Sequence, residues 1–397
     1  MSKFDFTSVP SRKGTSCVKW DYKAPVPVEG DVIPMWVADM DFKAMPGVRE
    51  ALAGRLEQGV FGYTIVPEEY YSSVIGWFSS RHGWDITREQ ILYTTGVVPG
   101  ISAVIKALAS PGDKVVVLTP VYNCFFSSIR NNGCQVSECP LVQESLTEDS
   151  FSYSIDFDDL EEKCADPSAK ILLLCNPHNP AGRVWSEAEL RSISEICAAN
   201  GVIPVSDEIH CEIVAPGHEY VPFATVCDTD WVALTSPSKS FNLAGLQMAN
   251  VISNNPQWLR KIDKAININE VCDVNYFAPY AMMAAYTQEG EEWLDEMNAV
   301  VHANFLSLKD ALSALDPAFP LACLEGTYLA WVDCSALDMP SAEIENSLLA
   351  NEKVRVNAGT MYGTDGFIRI NLATPPALAQ EGIARIAAGL KRLSHEE

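Results

Sequence analysis

WVALTSPSKSFNLAG, residues 231–245, is an apolar β-rich run that stops at a pair of serines bracketing a lysine, Lys239. A short run buried on both faces belongs to a parallel sheet, and the residues after it lie at the carboxyl edge, where open α/β sheets bind their ligands. Three runs of the same kind precede it: KVVVLTP at 114–120, ILLLCNP at 171–177 and VIPVSDE at 202–208. Helical stretches separate them. In the one that starts at Ser186, Ser186 and Glu189 read as a capping box, Leu190, Ile193 and Ile196 or Cys197 recur at helical spacing, and Asn200–Gly201 end it. Each run ends in polar or turn-forming residues.

The alternation lasts from Val48 to about Arg260 and predicts an α/β fold whose large domain has a mostly parallel central sheet flanked by helices. Past Lys261 the pattern turns mostly helical to about Leu315, then interleaves strands (TYLAWVDC, 327–334; GFIRINLA, 366–373) with helices, which reads as a smaller α+β domain. The first 45 residues, with Pro10, Pro25, Pro27 and Pro34, read as extended and irregular, packing across another surface. The expected division is an N-terminal segment, 1–47, a large domain, 48–290, and a small domain, 291–397.

Charge narrows the partners. With 28 basic against 52 acidic residues, a net charge of −24 opposes nucleic acid and anionic membrane surfaces. No run approaches the roughly 18 apolar residues of a membrane span, and MSKFDFTSVPSRKG lacks the basic-then-apolar pattern of a signal peptide. The 12 cysteines are scattered singly, which suits a reducing compartment, and the expected location is the cytoplasm. No His, Cys and acid cluster has metal-ligand spacing, so no metal is expected.

Alone, Lys239 reads as a solvated loop lysine; its company changes that. A lysine in a partly desolvated pocket has a lowered pKa and can form a Schiff base with an aldehyde. SDEIH at 206–210 closes another strand and sets Asp207 at the same edge, where a buried carboxylate needs a cationic partner such as a protonated ring nitrogen, or else acts as a helix cap or metal ligand. TTGVVPGISAVIKAL, from Thr94, places small residues at a helix start, where free amides can hold a phosphate. CNPHNPAG at 175–182 supplies Asn176 and Asn179 in a loop that could also be a simple turn. Arg369, flanked by Ile in FIRIN, either lies on the polar face of a strand or aims its planar fork at a carboxylate. Together these are an amine, an acid for a ring nitrogen, a phosphate cradle and a carboxylate clamp, the set that a pyridoxal phosphate enzyme acting on an amino acid needs.

The order TGVVPGI, NPHNPAG, SDEIH, SPSK and FIRIN resembles a fold-type-I pyridoxal-phosphate enzyme of the class I/II aminotransferase superfamily over nearly the whole chain. SRKGTSCVKWD at 11–21, MWVADMDF at 35–42 and FGYT at 61–64 resemble the MalY/PatB-type cystathionine β-lyases, a C–S lyase subgroup. The resemblance implies that Lys239 holds pyridoxal 5'-phosphate as a Schiff base, Asp207 pairs with its ring nitrogen, His210 and Asn179 approach the ring oxygen, and Tyr122 stacks on the ring. It implies that the Val97 and Val98 backbone, Ser236 and Ser238 hold the phosphate, with Tyr63 reaching it from the neighbouring subunit of a homodimer. Arg369 would bind the substrate carboxylate beside Val37 and Ala38. Two departures stand out: Gln247 occupies the position where many relatives carry an arginine, and His210 replaces the aminotransferase tyrosine. The implied activity is β-elimination on an L-cysteine S-conjugate such as cystathionine. Amino transfer, or a regulatory binding role on a lyase scaffold, are the alternatives.

Overall fold

The apolar runs pair with one another because each is buried on both faces and has no polar side to offer water. In the computed structural model, which describes residues 3–268, 270 and 273–395, they form the centre of a large sheet. It has seven strands in the order Ile91–Thr94, Ala249–Ser253, Val232–Thr235, Ile203–Asp207, Ala169–Cys175, Lys114–Thr119 and Gln135–Pro140. Only Ala249–Ser253 runs against its neighbours, so the sheet is mostly parallel, as expected. The register sets Cys175, Asp207 and Leu234 side by side, and the segments that follow them leave the sheet along one edge.

Helices cover the faces. Glu187–Asn200 starts as the capping box requires: the Ser186 hydroxyl accepts from the Glu189 amide, the Glu189 carboxylate accepts from the Ser186 amide, and Gly201 closes the helix at φ 66°. Helix Val97–Leu108 lies close against the sheet at Gly100, where an added Cβ would stand 2.8 Å from Leu234 Cδ2. That close approach fixes the start of the helix next to the strand that leads to Lys239.

A second sheet has six strands in the order Asn357–Ala358, Phe367–Asn371, Leu329–Asp333, Leu321–Ala322, Ser150–Ser154 and Val142–Thr147. Its last two strands come from a hairpin that leaves the first unit between two strands of the large sheet. The sequence pattern conceals this excursion because Val142–Thr147 is exposed along its whole length and shows no apolar alternation.

The N-terminal segment joins the two units. Ile33–Pro34 pairs in parallel with Val354–Arg355, and Phe6 packs on Phe42 and Trp293 with ring centroids 5.0 and 5.2 Å apart. The two N-terminal motifs close on each other around Asp41, which is buried and receives Lys19 at 2.6 Å, Arg12 at 2.8 Å and the Trp20 indole N–H at 2.8 Å. Removing one partner of a buried ion pair leaves the other charge desolvated and alone. Asp41→Ala, which leaves the buried Lys19 ammonium only the more distant Asp39 carboxylate at 3.6 Å, is expected to lower unfolding free energy by about 3 kcal/mol in urea denaturation. Lys13→Ala, which breaks the exposed pair of Lys13 with Asp31, should leave the midpoint where it is.

Candidate active site

At the carboxyl edge of the large sheet lies a cavity of about 350 Å³, walled by the segments after five strands, by residues 36–38 and by the region 357–369. Lys239 sits on the single turn Pro237–Ser240 and its Nζ donates to the Ala38 carbonyl at 2.6 Å. Burial, followed by the nearby Arg369 charge, lowers its pKa to about 8. Asp207 is buried and, among the described residues, its Oδ1 accepts only the Ile209 amide at 3.1 Å; burial pushes its pKa up to about 7. The two effects have one cause, a dry site that disfavours every charge it holds without a partner.

Two further groups face the cavity with hydrogen-bonding capacity to spare. His210 is buried, its ring packs edge-on to Tyr328 at 5.8 Å, and its Nδ1 has no partner among the described residues. Burial, with the charges of Lys239 and Arg369, holds its pKa far below the usual histidine range, so the imidazole is neutral. Arg369 donates through Nη1 to Asn179 Oδ1 at 3.1 Å and through Nη2 to the Trp36 carbonyl at 3.0 Å, and lies over the Tyr362 ring at 4.7 Å. Its Nε is buried without a partner among the described residues. The guanidinium is therefore fixed in plane with N–H donors left over, the Nε–H among them.

The opposite end suits an anion. Helix Val97–Leu108 begins there with no side-chain cap at Gly96, so its first amides are open, and Thr95 and Ser238 flank them in the cavity wall.

Of the residues singled out in the sequence, all but Asn176, Ser236 and Tyr63 line this cavity; Asn176 turns away and donates to the Val221 carbonyl at 3.0 Å. Ser236 lies beside the wall: its hydroxyl donates to the Met248 carbonyl at 2.6 Å and accepts the Ser238 amide at 3.1 Å, capping the Lys239 turn. Tyr63 is 95% exposed and away from the cavity of its own chain.

Sequence reasoning missed the residues that hold the wall opposite Lys239. Asn357 donates to the Trp36 carbonyl at 2.7 Å, Asn371 to the carbonyls of Val37 and Asp39, and the Tyr328 hydroxyl to the Ala38 carbonyl at 3.0 Å. Asn242, at φ 58°, grips Met40 and Phe42 from the lysine's own loop. Buried amides in apolar surroundings, such as the Asn of FIRIN, were the available signal.

The pattern of the family described as aminotransferase class I and II matches residues 31–386. The chain belongs to that family. Among its relatives, the cystathionine beta-lyase PatB of Bacillus subtilis is 39% identical over 97% of this chain and 100% of its own length. Cystalysin of Treponema denticola, whose crystal structure contains a pyridoxal 5'-phosphate cofactor, is 36% identical with a TM-score of 0.91, covering 98% and 99% of the two chains. The C–S lyase of Staphylococcus hominis, bound to pyridoxal phosphate and the inhibitor L-cycloserine, is 32% identical with a TM-score of 0.89 over 98% of each chain. Against the general pattern of class I and II aminotransferases, Gln247 lines the anion end of the cavity at φ 55°. Its carbonyl accepts the Tyr93 hydroxyl at 3.3 Å.

The shifted groups give a pH dependence. Asp207 titrates near 4 when unfolded and at about 7 when folded, so the folded chain holds the extra proton between those values and stability falls as pH rises from about 4 to about 7. Lys239 acts the other way at higher pH, its cost being relieved between about 8 and about 10.4. Glu208, buried and also pushed to about 7, adds to the loss on the acid side. In Asp207→Asn the Glu208 share remains, and the urea midpoint of the ligand-free chain is expected to fall less between pH 5 and pH 8 than in the wild type.

Proposed function

We propose that the chain is a pyridoxal-phosphate-dependent C–S β-lyase that cleaves cystathionine or a related L-cysteine S-conjugate to a thiol, pyruvate and ammonia. The observation that carries this reading is the pairing, in one dry cavity, of a lysine lowered to about 8 with a carboxylate raised to about 7. Likeness to PatB over the full chain supports the lyase over amino transfer.

The residues fit the cofactor. Asp207 lacks the cation that would return it to the ionised form, and a protonated ring nitrogen is such a cation. His210 Nδ1 stands unpartnered where a ring oxygen or a bound water would use it. Tyr122 and Asn179 line the same cavity, and the open amides at Val97 and Val98 with Ser238 form the phosphate cradle. Ser236 then serves by shaping the Lys239 turn. Pyridoxal phosphate, when bound, supplies an electron sink for the charge left when the substrate's Cα–H bond breaks.

Lys239 is the group that moves the proton. With a pKa of about 8, a useful fraction of its amine is unprotonated near neutral pH, and that amine takes the proton from Cα as general base. Arg369 grips the substrate carboxylate; because Asn179 and the Trp36 carbonyl already hold its fork, the Cα–H bond is presented to Lys239 with little freedom to wander. Val37 and Ala38 line the wall beside Lys239, whose Nζ meets the Ala38 carbonyl. The thiolate departs from Cβ, and hydrolysis of the resulting enamine gives pyruvate and ammonia.

The proposed partner is a second copy of the chain. Val60, Phe61, Tyr63 and Ile65 are 58–95% exposed on one stretch, an apolar strip that a twofold interface would bury, and Tyr63 from this strip would reach the neighbour's phosphate cradle. The three-part division at residues 47 and 290 belongs to the same proposal, with the hairpin Val142–Ser154 assigned to the small domain by its sheet. Among the described residues no helix is long and apolar enough to cross a membrane, and a cytoplasmic location is part of this reading.

Supplied with L-cystathionine and no keto acid, the protein is expected to release pyruvate and thiol continuously; a halt after one turnover per site would mean amino transfer instead. Lys239→Ala should lose both pyruvate release and the visible absorbance of the cofactor-loaded protein. Light scattering should give twice the chain mass, and a monomer would remove Tyr63 from the site.

A further inference from the structure

A second cavity, of about 470 Å³, adjoins the first, and Asn123 and Met361 wall both. Helix Asn123–Asn131 links them: its start faces the reacting centre, and Arg130 lies roughly 10 Å further along its axis. Arg130 is the one cation and Glu138, on the edge strand Gln135–Pro140, the one anion in the wall of this second cavity. The Arg130 guanidinium rests over the Phe126 ring at 5.7 Å, and neither it nor Glu138 has an ion pair or side-chain hydrogen bond among the described residues. Both side chains are exposed at the rim of the cavity, free to turn toward a ligand. Between the two cavities Met361, 44% exposed, forms an apolar saddle. Its turn is seated against the helix, since a Cβ on Gly363 would lie 3.3 Å from Phe126 Cζ.

Resting on the lyase reading above, we propose that this second cavity is the subsite for the leaving half of the thioether, and that it selects a leaving thiol bearing its own amino-acid head. Arg130 takes the distal carboxylate, Glu138 takes the distal ammonium, and the sulfur and methylenes cross Met361. With Arg369 holding the first carboxylate, a substrate of the cystathionine type has a second zwitterion a four-atom chain away, and a wall that carries one charge of each sign answers both of its ends. A simple S-alkyl cysteine has nothing for these two residues to hold.

The test compares L-cystathionine with S-ethyl-L-cysteine, scored by pyruvate release from the cofactor-loaded enzyme. Arg130→Met is expected to lower kcat/KM for cystathionine about tenfold, chiefly through KM, while S-ethyl-L-cysteine stays within about twofold. Glu138→Gln should act in the same direction and more weakly. Retained turnover of S-ethyl-L-cysteine shows that the variant is folded. If both substrates are affected equally, or neither is, the subsite is overturned and the lyase reading stands. If the wild type releases pyruvate from neither, both fall together.

Discussion

A carboxylate and an amine shut away from water at the ends of neighbouring strands set the terms for the rest of this molecule. Asp207 and Lys239 are each pushed toward neutrality by the same desolvation, one upward and one downward. Such a pair is costly to a chain that needs only to fold. The sheet register bears part of that cost, because it aligns the strand ends that carry the two side chains. The cavity is thus a strained electrostatic arrangement, and under the proposed function a protonated ring nitrogen beside Asp207 would relax it.

The wall opposite the lysine comes from far away in the chain. Residues 36–39 are held by amides of Asn357 and Asn371, by the Tyr328 hydroxyl, and behind them by the charge cluster of Arg12, Lys19 and Asp41. Three parts of the chain that share no local sequence relation therefore meet at one carbonyl row. The N-terminal segment, irregular in secondary structure, is as much a part of the site as the sheet edge.

How much of this could be read in the sequence follows from how local each determinant is. The buried runs, the capping box at Ser186 and the placement of Asp207 and Lys239 just past strand ends are local patterns, and they were legible. The hairpin Val142–Ser154 was not, because a fully exposed strand carries no periodic signal and its partners lie in another sheet. Ser236 looked like a ligand for a phosphate, yet the backbone geometry of the turn uses its hydroxyl first. The resemblance to a family named the motifs SRKGTSCVKWD and MWVADMDF without saying why they occur together; the buried Asp41 cluster supplies the reason. Asn357 and Asn371 stayed invisible because an amide's value lies in which carbonyls it meets, and that is decided by tertiary packing.

The Ala38 carbonyl receives two donors, one from Lys239 and one from Tyr328. They differ in what they are free to do. The lysine ends a flexible four-carbon arm, whereas the tyrosine is fully buried and rigidly packed. When the amine leaves that carbonyl to react, the phenol keeps it hydrogen-bonded, so the wall does not have to move in step with the chemistry. The arm can swing away from a socket that keeps its shape, because the phenol alone still holds the carbonyl in place.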